Sequence, residues 1–259
     1  MNKLIRLFTT TLLVLAIVTV KATDKEGRKA ANTEKQLMEN QVKTGEIVFK
    51  KDKHIEVALL TIAPGKEDQF NKDYFSKAWP IGTRYGARLI GSFAITKKES
   101  GNAPAKMLVF FEWNSQEDFR KFQSDLDFVK IVNIRNDALQ FLTTGGFTVD
   151  KDITYQLSSN KTYEFAALWL VNPPLLQEYF QAVLPLASDP KIQFELIAQL
   201  VSNGNYDGSY FPNLIFFSEW KAGYEGKEEL LRRPAFINNV AKREEAAPYK
   251  DIFIVQPIL

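Results

Sequence analysis

The 259-residue sequence has no cysteine and a single histidine, and each scarcity excludes a kind of chemistry. Without cysteine there is no disulfide, no thiolate nucleophile and no cysteine metal site. With His54 as the only histidine, every mechanism that requires two is excluded. His54 lies in a charged stretch at the start of a predicted strand, where further metal donors are lacking. We therefore expect no metal and no cofactor.

Strong net charge and long apolar runs are scarce too. Residues 1–22 read as an export signal, in which Lys3 and Arg6 precede an apolar stretch over residues 7–20. That stretch is shorter than the ~20 residues of a spanning helix, so we expect a periplasmic or secreted bacterial protein with no membrane span. Three positive charges and no acidic residue leave with the signal, so the formal charge falls from +2 to −1. A chain without a basic field is not expected to bind nucleic acid.

The chain does contain a long internal repeat. The predicted strand that begins at Glu56 returns at Glu164, 108 residues later, and Trp113 returns as Trp220 after 107 residues. This period is too long for a solenoid unit and suits a small domain duplicated in tandem. We predict four segments: a signal peptide (1–22), a polar tether (23–45), a first repeat (46–150) and a second repeat (151–259).

Each repeat is predicted to run strand, helix, strand, strand, helix, strand. This is the order of a ferredoxin-like βαββαβ unit, whose sheet carries helices on one face and leaves the other bare. Two copies in one chain can cover the bare faces by stacking their sheets. We therefore predict an α+β fold of two tandem ferredoxin-like units that form an intramolecular dimeric α/β-barrel. Because the pairing is internal, we expect a monomer.

Three segments resemble the dimeric α/β-barrel superfamily: residues 74–80, residues 85–91, and Phe111-Glu112-Trp113. The resemblance covers residues 54–150 well and 162–257 more loosely. It is closest to a small domain type of unestablished function related to antibiotic-biosynthesis monooxygenases and muconolactone isomerases. The superfamily also includes haem-binding chlorite dismutases. The resemblance implies a fold and a pocket either between sheet and helices or within the barrel, and it leaves the activity open.

Strict alternation along the second strand of each repeat predicts one apolar and one polar face. Leu89, Gly91 and Phe93, matched by Leu196, Ala198 and Leu200, are expected beneath the helices. If the opposite face looks into the space between the sheets, it supplies polar ligand-binding residues there. These are Arg88, Ser92 and Gln199, with Glu195 beside them. Trp169 is a further ligand-binding candidate, because the matching position in the first repeat is Thr61.

Carboxylates are the candidates for acid–base chemistry. Glu195, Glu112 and Glu219 would face one another or an arginine, which displaces pKa values from their usual range. The alternative is that the strand glutamates, Glu56 and Glu164 included, lie at strand ends in water, because charged residues are rarely buried unless paired. The matched Arg135 and Arg243 are open to two interpretations: clamps for an anionic ligand, or structural ties of the last helix.

Three hypotheses for function follow. The first is an exported pseudo-dimeric barrel that binds a small, partly apolar ligand between its two halves. The second is a cofactor-independent enzyme, either an isomerase or a monooxygenase, with a carboxylate as the acid–base group. The third is a packed interface without a cavity that serves a partner protein. Phe and Leu side chains filling the space between the sheets would remove both pocket hypotheses, the ligand-binding one and the enzymatic one.

Overall fold

The computed structural model describes residues 42–203 and 209–259. The predicted signal peptide, and the predicted tether up to residue 41, lie outside the described residues. The first strand begins at Thr44, so the end of the segment predicted as a tether is part of the fold. Within the described ranges, no helix has the length and apolar character needed to cross a membrane.

The described residues form ten strands, which carry the same labels throughout. They are β1 (Thr44–Phe49), β2 (His54–Ile62), β3 (Arg88–Ser100), β4 (Met107–Trp113), β5 (Leu139–Thr148), β6 (Ile153–Ser158), β7 (Thr162–Trp169), β8 (Phe194–Ser202), β9 (Leu214–Trp220) and β10 (Tyr249–Pro257).

The helices follow the predicted order in both halves, and side-chain caps fix several of their starts. They are a π-helical segment (Gln69–Phe75) that continues into α1 (Ser76–Arg84), α2 (Gln116–Ser124), α3 (Leu126–Ala138), α4 (Pro173–Val183) with a 3-10 turn after it (Leu184–Leu186), α5 (Gly223–Arg232), α6 (Pro234–Ile237) and α7 (Val240–Ala246). The side chains of Ser115, Asp125 and Asn172 accept hydrogen bonds from backbone amides in the first turns of α2, α3 and α4.

Eight strands close into an antiparallel barrel in the order β10-β3-β4-β2-β5-β8-β9-β7. The first half contributes β3-β4-β2-β5 and the second contributes β8-β9-β7-β10, so the same order of strands occurs twice around the barrel. The predicted α+β class, with a large antiparallel sheet closed as an α/β-barrel, is confirmed at this level. The predicted boundary between repeats, at residue 150, falls in the connection between β5 and β6.

The interior of the barrel is filled by aromatic and aliphatic side chains. The fully buried rings of Phe93, Phe110 and Phe217 lie with their centroids 5.1 to 5.9 Å apart. β1 and β6 form a separate two-stranded sheet, and its Ile47 and Phe49 belong to the same buried core. The space between the two halves, where a central ligand cavity was expected, is therefore packed.

Three further apolar clusters lie on the outside of the barrel, two in the first half and one in the second. In the first half Trp113, Phe122 and Phe128 are buried against Tyr74 of the π-helical segment. In the second half the buried cluster comprises Leu168, Leu176, Tyr179, Val183, Phe236, Ala246 and Ala247. Each half therefore packs its own helices onto the outside of the barrel, as predicted for helices that cover one sheet face.

The two seams that join the halves differ in length. β10 pairs with β3 from Phe93 to Ser100, whereas β5 pairs with β8 only at Phe147–Ser202 and Thr148–Val201. Beyond the short seam, the backbone amides of Ser209 and Tyr210 donate to the carbonyl of Thr144. A Cβ atom on Gly145 would lie 2.1 Å from the carbonyl oxygen of Tyr210, so this approach requires glycine.

A β-bulge interrupts the alternation of β3 between Leu89 and Gly91, and a matching bulge interrupts β8 after Leu196. At a bulge, two residues of the bulged strand oppose one residue of its neighbour. The residues after the bulge therefore point to the opposite face of the sheet from the one that strict alternation gives. Phe93 and the equivalent Leu200 consequently point into the barrel, while Leu89 and Leu196 are exposed. The strict alternation predicted for these strands is wrong for this reason.

Candidate functional site

Two predicted site residues of the first half, Arg88 and Glu112, form a bidentate ion pair. The Arg88 guanidinium donates to the two carboxylate oxygens of Glu112 at 3.1 and 2.9 Å. It also donates to the carbonyl of Val48 in β1 at 3.1 Å. Glu112 is buried, so its charge is compensated within the protein. This pair attaches the two-stranded sheet to the barrel.

In the second half Glu195 stands where Arg88 stands in the first, and it lies close to Glu219. The hydroxyl of Tyr155 in β6 lies 3.0 Å from an oxygen of Glu195 and 2.7 Å from an oxygen of Glu219. Lys221 lies 2.5 Å from Glu195, and Lys161 lies 3.2 Å from Glu219. The structure thus brings together two predicted catalytic candidates.

The charges around this cluster set its protonation. The hydrogen bond from Lys221 holds the pKa of Glu195 below its ordinary value, against the opposing effect of burial. Burial, followed by the hydrogen bond to Glu219, raises the pKa of Tyr155. At neutral pH Glu195 is therefore ionised and Tyr155 protonated, so Glu195 can accept a proton but cannot donate one.

The two first-strand glutamates accept matching hydrogen bonds from tryptophans. Nε1 of Trp113 donates to Glu56, and Nε1 of Trp220 donates to Glu164, both at 3.0 Å. Glu56 is buried, and the Glu164 side chain is 12% exposed. The alternative that these glutamates lie at strand ends in water is therefore wrong. These two hydrogen bonds connect β2 with β4 in the first half and β7 with β9 in the second, on the barrel face beneath the helices.

The second half adds a buried lysine to its pair. Nζ of Lys227 lies 2.5 Å from Glu164 and also donates to Glu99, which belongs to β3 of the first half. Burial alone would raise the pKa of Glu99, but hydrogen bonds from Lys227 and Tyr224 hold it below its ordinary value. One cation between two carboxylates therefore ties α5 to the opposite half of the barrel.

Arg135 and Arg243 both lie over aromatic rings of their own half. The Arg135 guanidinium carbon is 6.0 Å from the ring centroid of Tyr74, and that of Arg243 is 5.8 Å from the ring of Tyr179. Cation–π contacts at this range attach the last helix to the first helical segment. These contacts favour the structural interpretation of the two arginines over the anion clamp.

Trp169 lies at the opposite end of the barrel from Arg88 and Glu195. The strands β3, β7 and β8 run in the same direction, and Trp169 ends β7 whereas Arg88 and Glu195 lie at the starts of β3 and β8. Its ring meets that of Tyr210 edge to face at 5.2 Å. The Tyr210 hydroxyl donates to the buried Asp251 at 2.9 Å. Trp169 thus packs at a barrel mouth, and the structure does not bring it together with the other predicted residues.

An open groove lies on the outside of the second half, between α4 with its following turn and the outer face of β8 and β9. Its volume is about 690 Å³. We call it the α4 groove, and it is lined by Leu170, Pro173, Leu176, Gln177, Phe180, Gln181, Leu184, Pro185, Gln199, Leu214 and Phe216. Gln199 is the one predicted ligand-binding residue in this lining. Ser92, its counterpart in β3, accepts a backbone hydrogen bond from Ile258 instead.

The base of the α4 groove is apolar, and glutamine side chains lie around it. Phe180 and Phe216 meet edge to face at 5.3 Å, with their ring planes at 90°. Gln177, Gln181 and Gln199 are exposed and contribute neutral donors and acceptors. All eleven lining residues are uncharged, so the groove offers apolar contact and neutral hydrogen bonding without an ion-pair partner.

Comparison with solved structures finds proteins of similar fold. An anthrone oxidase-like protein is similar over 83% of this chain and 95% of its own, with a TM-score of 0.53 and 16% sequence identity. The two proteins share one fold. Two further structures are similar with lower TM-scores and 12% identity each. A mutant chlorite dismutase from Candidatus Nitrospira defluvii in complex with cyanide has a TM-score of 0.46 over 81% of this chain and 92% of its own. A predicted monooxygenase from Lactobacillus acidophilus has a TM-score of 0.41 over 80% of this chain and 94% of its own.

The remaining comparisons give no family. No protein-family model matches the sequence, and no curated protein matches it. The closed barrel described above is the fold that the chain shares with the anthrone oxidase-like protein. At identities this low the likeness concerns the fold alone, so the function must be argued from the residues of this chain.

Proposed function

We propose that this protein binds a small, neutral, largely apolar molecule in the α4 groove. The observation that carries the proposal is the groove itself, whose volume of about 690 Å³ falls within the range of roughly 300–1,000 Å³ typical of small-molecule sites. The sequence placed the ligand between the two halves, but that space is packed. We therefore propose a site on the outside of the second half instead.

The lining determines the chemistry of the proposed ligand. Phe180 and Phe216 provide aromatic faces and edges for a flat apolar body. The exposed glutamines provide hydrogen bonds for a carbonyl, hydroxyl or amine group. A charged ligand would have to give up hydration without gaining a counter-charge, which is unfavourable. These features together favour a neutral aromatic or alicyclic molecule with few polar groups.

Leu184 provides the variant that tests the proposal. It lines the groove and is 49% exposed, so a larger side chain can be placed there without entering the core. We expect Leu184→Trp to fill the groove and weaken binding of the neutral fluorescent probe 1-aminoanthracene by tenfold or more, about 1.4 kcal/mol. Fluorescence titration measures the affinity. Leu231→Trp on α5, at a leucine 39% exposed, is the matched control.

Two results would overturn the binding proposal. One is that the wild-type protein does not saturate with the probe. The other is that both tryptophan variants bind it as the wild type does, which would place the probe elsewhere on the surface.

A cofactor-independent enzyme is the second candidate, and the Tyr155 cluster is the observation that favours it. An ionised Glu195 beside a protonated phenol can accept a proton from a carbon acid. Anthrone, after which the structural neighbour is named, is a suitable test substrate. We expect an enzyme of this kind to consume oxygen with anthrone faster than buffer does, and Glu195→Gln to abolish the excess. Equal rates with wild type, variant and buffer would contradict it.

We further propose that the chain is a tandem duplication of ferredoxin-like units, related to the monooxygenase and muconolactone isomerase domains, and that it is exported as a monomer. The repeated strand order and the residue offsets support the duplication. Residues 1–22 support export. Intact mass of the protein from its own host tests the cleavage, and light scattering tests the monomer. An uncleaved chain or a dimer mass would contradict the respective proposal.

A further inference from the structure

We propose that the first half contains a second groove of the same kind, kept closed by the side chain of Trp79. The inference rests on the proposed function of the α4 groove and extends it to a latent site. It follows from comparing the first helical segments of the two halves, residue by residue.

The two segments align at an offset of 105 residues. Tyr74 and Tyr179 are both buried and both lie beneath an arginine of their own half. At the same offset Phe75 matches Phe180, and the motif Trp79-Pro80 matches Leu184-Pro185. Trp79 and Leu184 are therefore equivalent positions.

The equivalent positions differ in what they cover. In the first half the indole of Trp79 stacks on Phe75, with ring centroids 5.8 Å apart and planes at 23°, and lies 6.5 Å from Phe111 on β4. In the second half Leu184 borders open volume, and Phe180 contacts Phe216 edge to face at the base of the groove. The indole thus lies between helix and strand on the side where the second half is open.

The bases of the two sites are alike. β4 presents Met107 and Val109 where β9 presents Leu214 and Phe216, at the offset of 107 residues seen for the paired tryptophans. Val109 is packed with its apolar neighbours on the outer face of the barrel. Removing the indole would therefore uncover the ring of Phe111 on β4 beside Phe75, an apolar surface between helix and strand comparable with that of the α4 groove.

The consequence is a binding stoichiometry set at one position. The native chain binds one molecule because a tryptophan closes one groove and a leucine leaves the other open. Exchanging the two side chains should move the site from the second half to the first. The ligand is again a small molecule with an apolar body.

The experiment compares four proteins by fluorescence titration and calorimetry with 1-aminoanthracene. At probe concentrations that just saturate the wild type, we expect one bound molecule for wild type, two for Trp79→Leu, close to none for the weakened Leu184→Trp, and one for the double variant Trp79→Leu/Leu184→Trp. The weaker variant Trp79→Phe keeps a ring on Phe75 and should admit a second molecule with lower affinity, which tests the inference if Trp79→Leu does not fold.

The outcomes separate the two proposals. If wild type binds one molecule and both Trp79 variants also bind one, the latent site is refuted while the α4 groove stands. If wild type binds none, the proposed function has failed independently of this inference. A double variant that binds none, although Trp79→Leu binds two, would also refute an equivalent second site.

Discussion

The two halves of the barrel share a strand order and differ in how they use it. In both, a glutamate in β2 or β7 accepts a hydrogen bond from the tryptophan that ends β4 or β9. The first half keeps a tryptophan over its helix–strand contact, whereas the second half has Leu184 there and an open groove. Positions common to both halves serve the fold, and the positions that differ carry the candidate site.

The largest expected effect concerns a cation that the second half buries. Lys227 is 7% exposed and compensates both Glu164 and Glu99. Removing one partner of a buried ionic group leaves the others uncompensated, so we expect Lys227→Met to lower the free energy of unfolding by about 3–5 kcal/mol. Urea denaturation at pH 7 measures the change.

The matched control for this substitution is Lys242→Met. Lys242 pairs with Glu178 at 2.9 Å, but both side chains are solvent-exposed, and such pairs contribute at most about 1 kcal/mol. If the two variants lose the same small amount of stability, then Lys227 does not hold the halves together in the way described.

A smaller effect, dependent on pH, belongs to the first half. His54 is 3% exposed, and burial, followed by the charge of Arg120, lowers its pKa to about 4. The matching residue in the second half is Thr162, which does not titrate. Because an unfolded histidine titrates near 6.5, the unfolded chain takes up the proton first as the pH falls. Stability is then lost between about pH 6.5 and 4, by up to about 3 kcal/mol.

Urea denaturation at pH 7 and pH 4.5 tests this expectation with wild type and His54→Gln. Carboxylates titrate in both proteins, so the difference between the two pH dependences isolates the histidine. We expect the variant to lose less stability on acidification. An identical loss in both proteins would show that His54 is not held neutral by the fold.

Much of the fold followed from the sequence because its signals are local and doubled. The offset between Trp113 and Trp220 set the length of the unit, and the strand and helix patterns agreed in both copies. Barrel closure was expected because each unit leaves one sheet face bare. The unequal seams were not predictable, because strand pairing between the halves depends on register that is not encoded within either strand alone.

The candidate site was harder to predict, for two physical reasons. The bulges after Leu89 and Leu196 exchange the strand faces. Gly91 follows the first bulge and is a local signal for it, whereas the second bulge, between Leu196 and Ala198, has neither glycine nor proline beside it. The exchange of Trp79 for Leu184 was hidden because the helices align at 105 residues while the strands align at 107 or 108. Aligning the halves on Tyr74 and Tyr179 would have revealed it.

The carboxylates were predicted as a group and found as separate pairs. Glu195 and Glu219 do lie together, but Tyr155, Lys161 and Lys221 compensate them in a way that the strand pattern does not contain. Their partners come from β6 and from loop positions, and long-range contacts of this kind are set by tertiary packing.

The most direct test of the central claim is a crystal structure of the protein soaked with 1-aminoanthracene. We expect one probe molecule in the α4 groove, against Phe180 and Phe216 and beside Leu184, with the first half closed by Trp79. A probe found inside the barrel among the buried phenylalanines, or equally in both halves, would contradict the claim that the second half alone carries the open site.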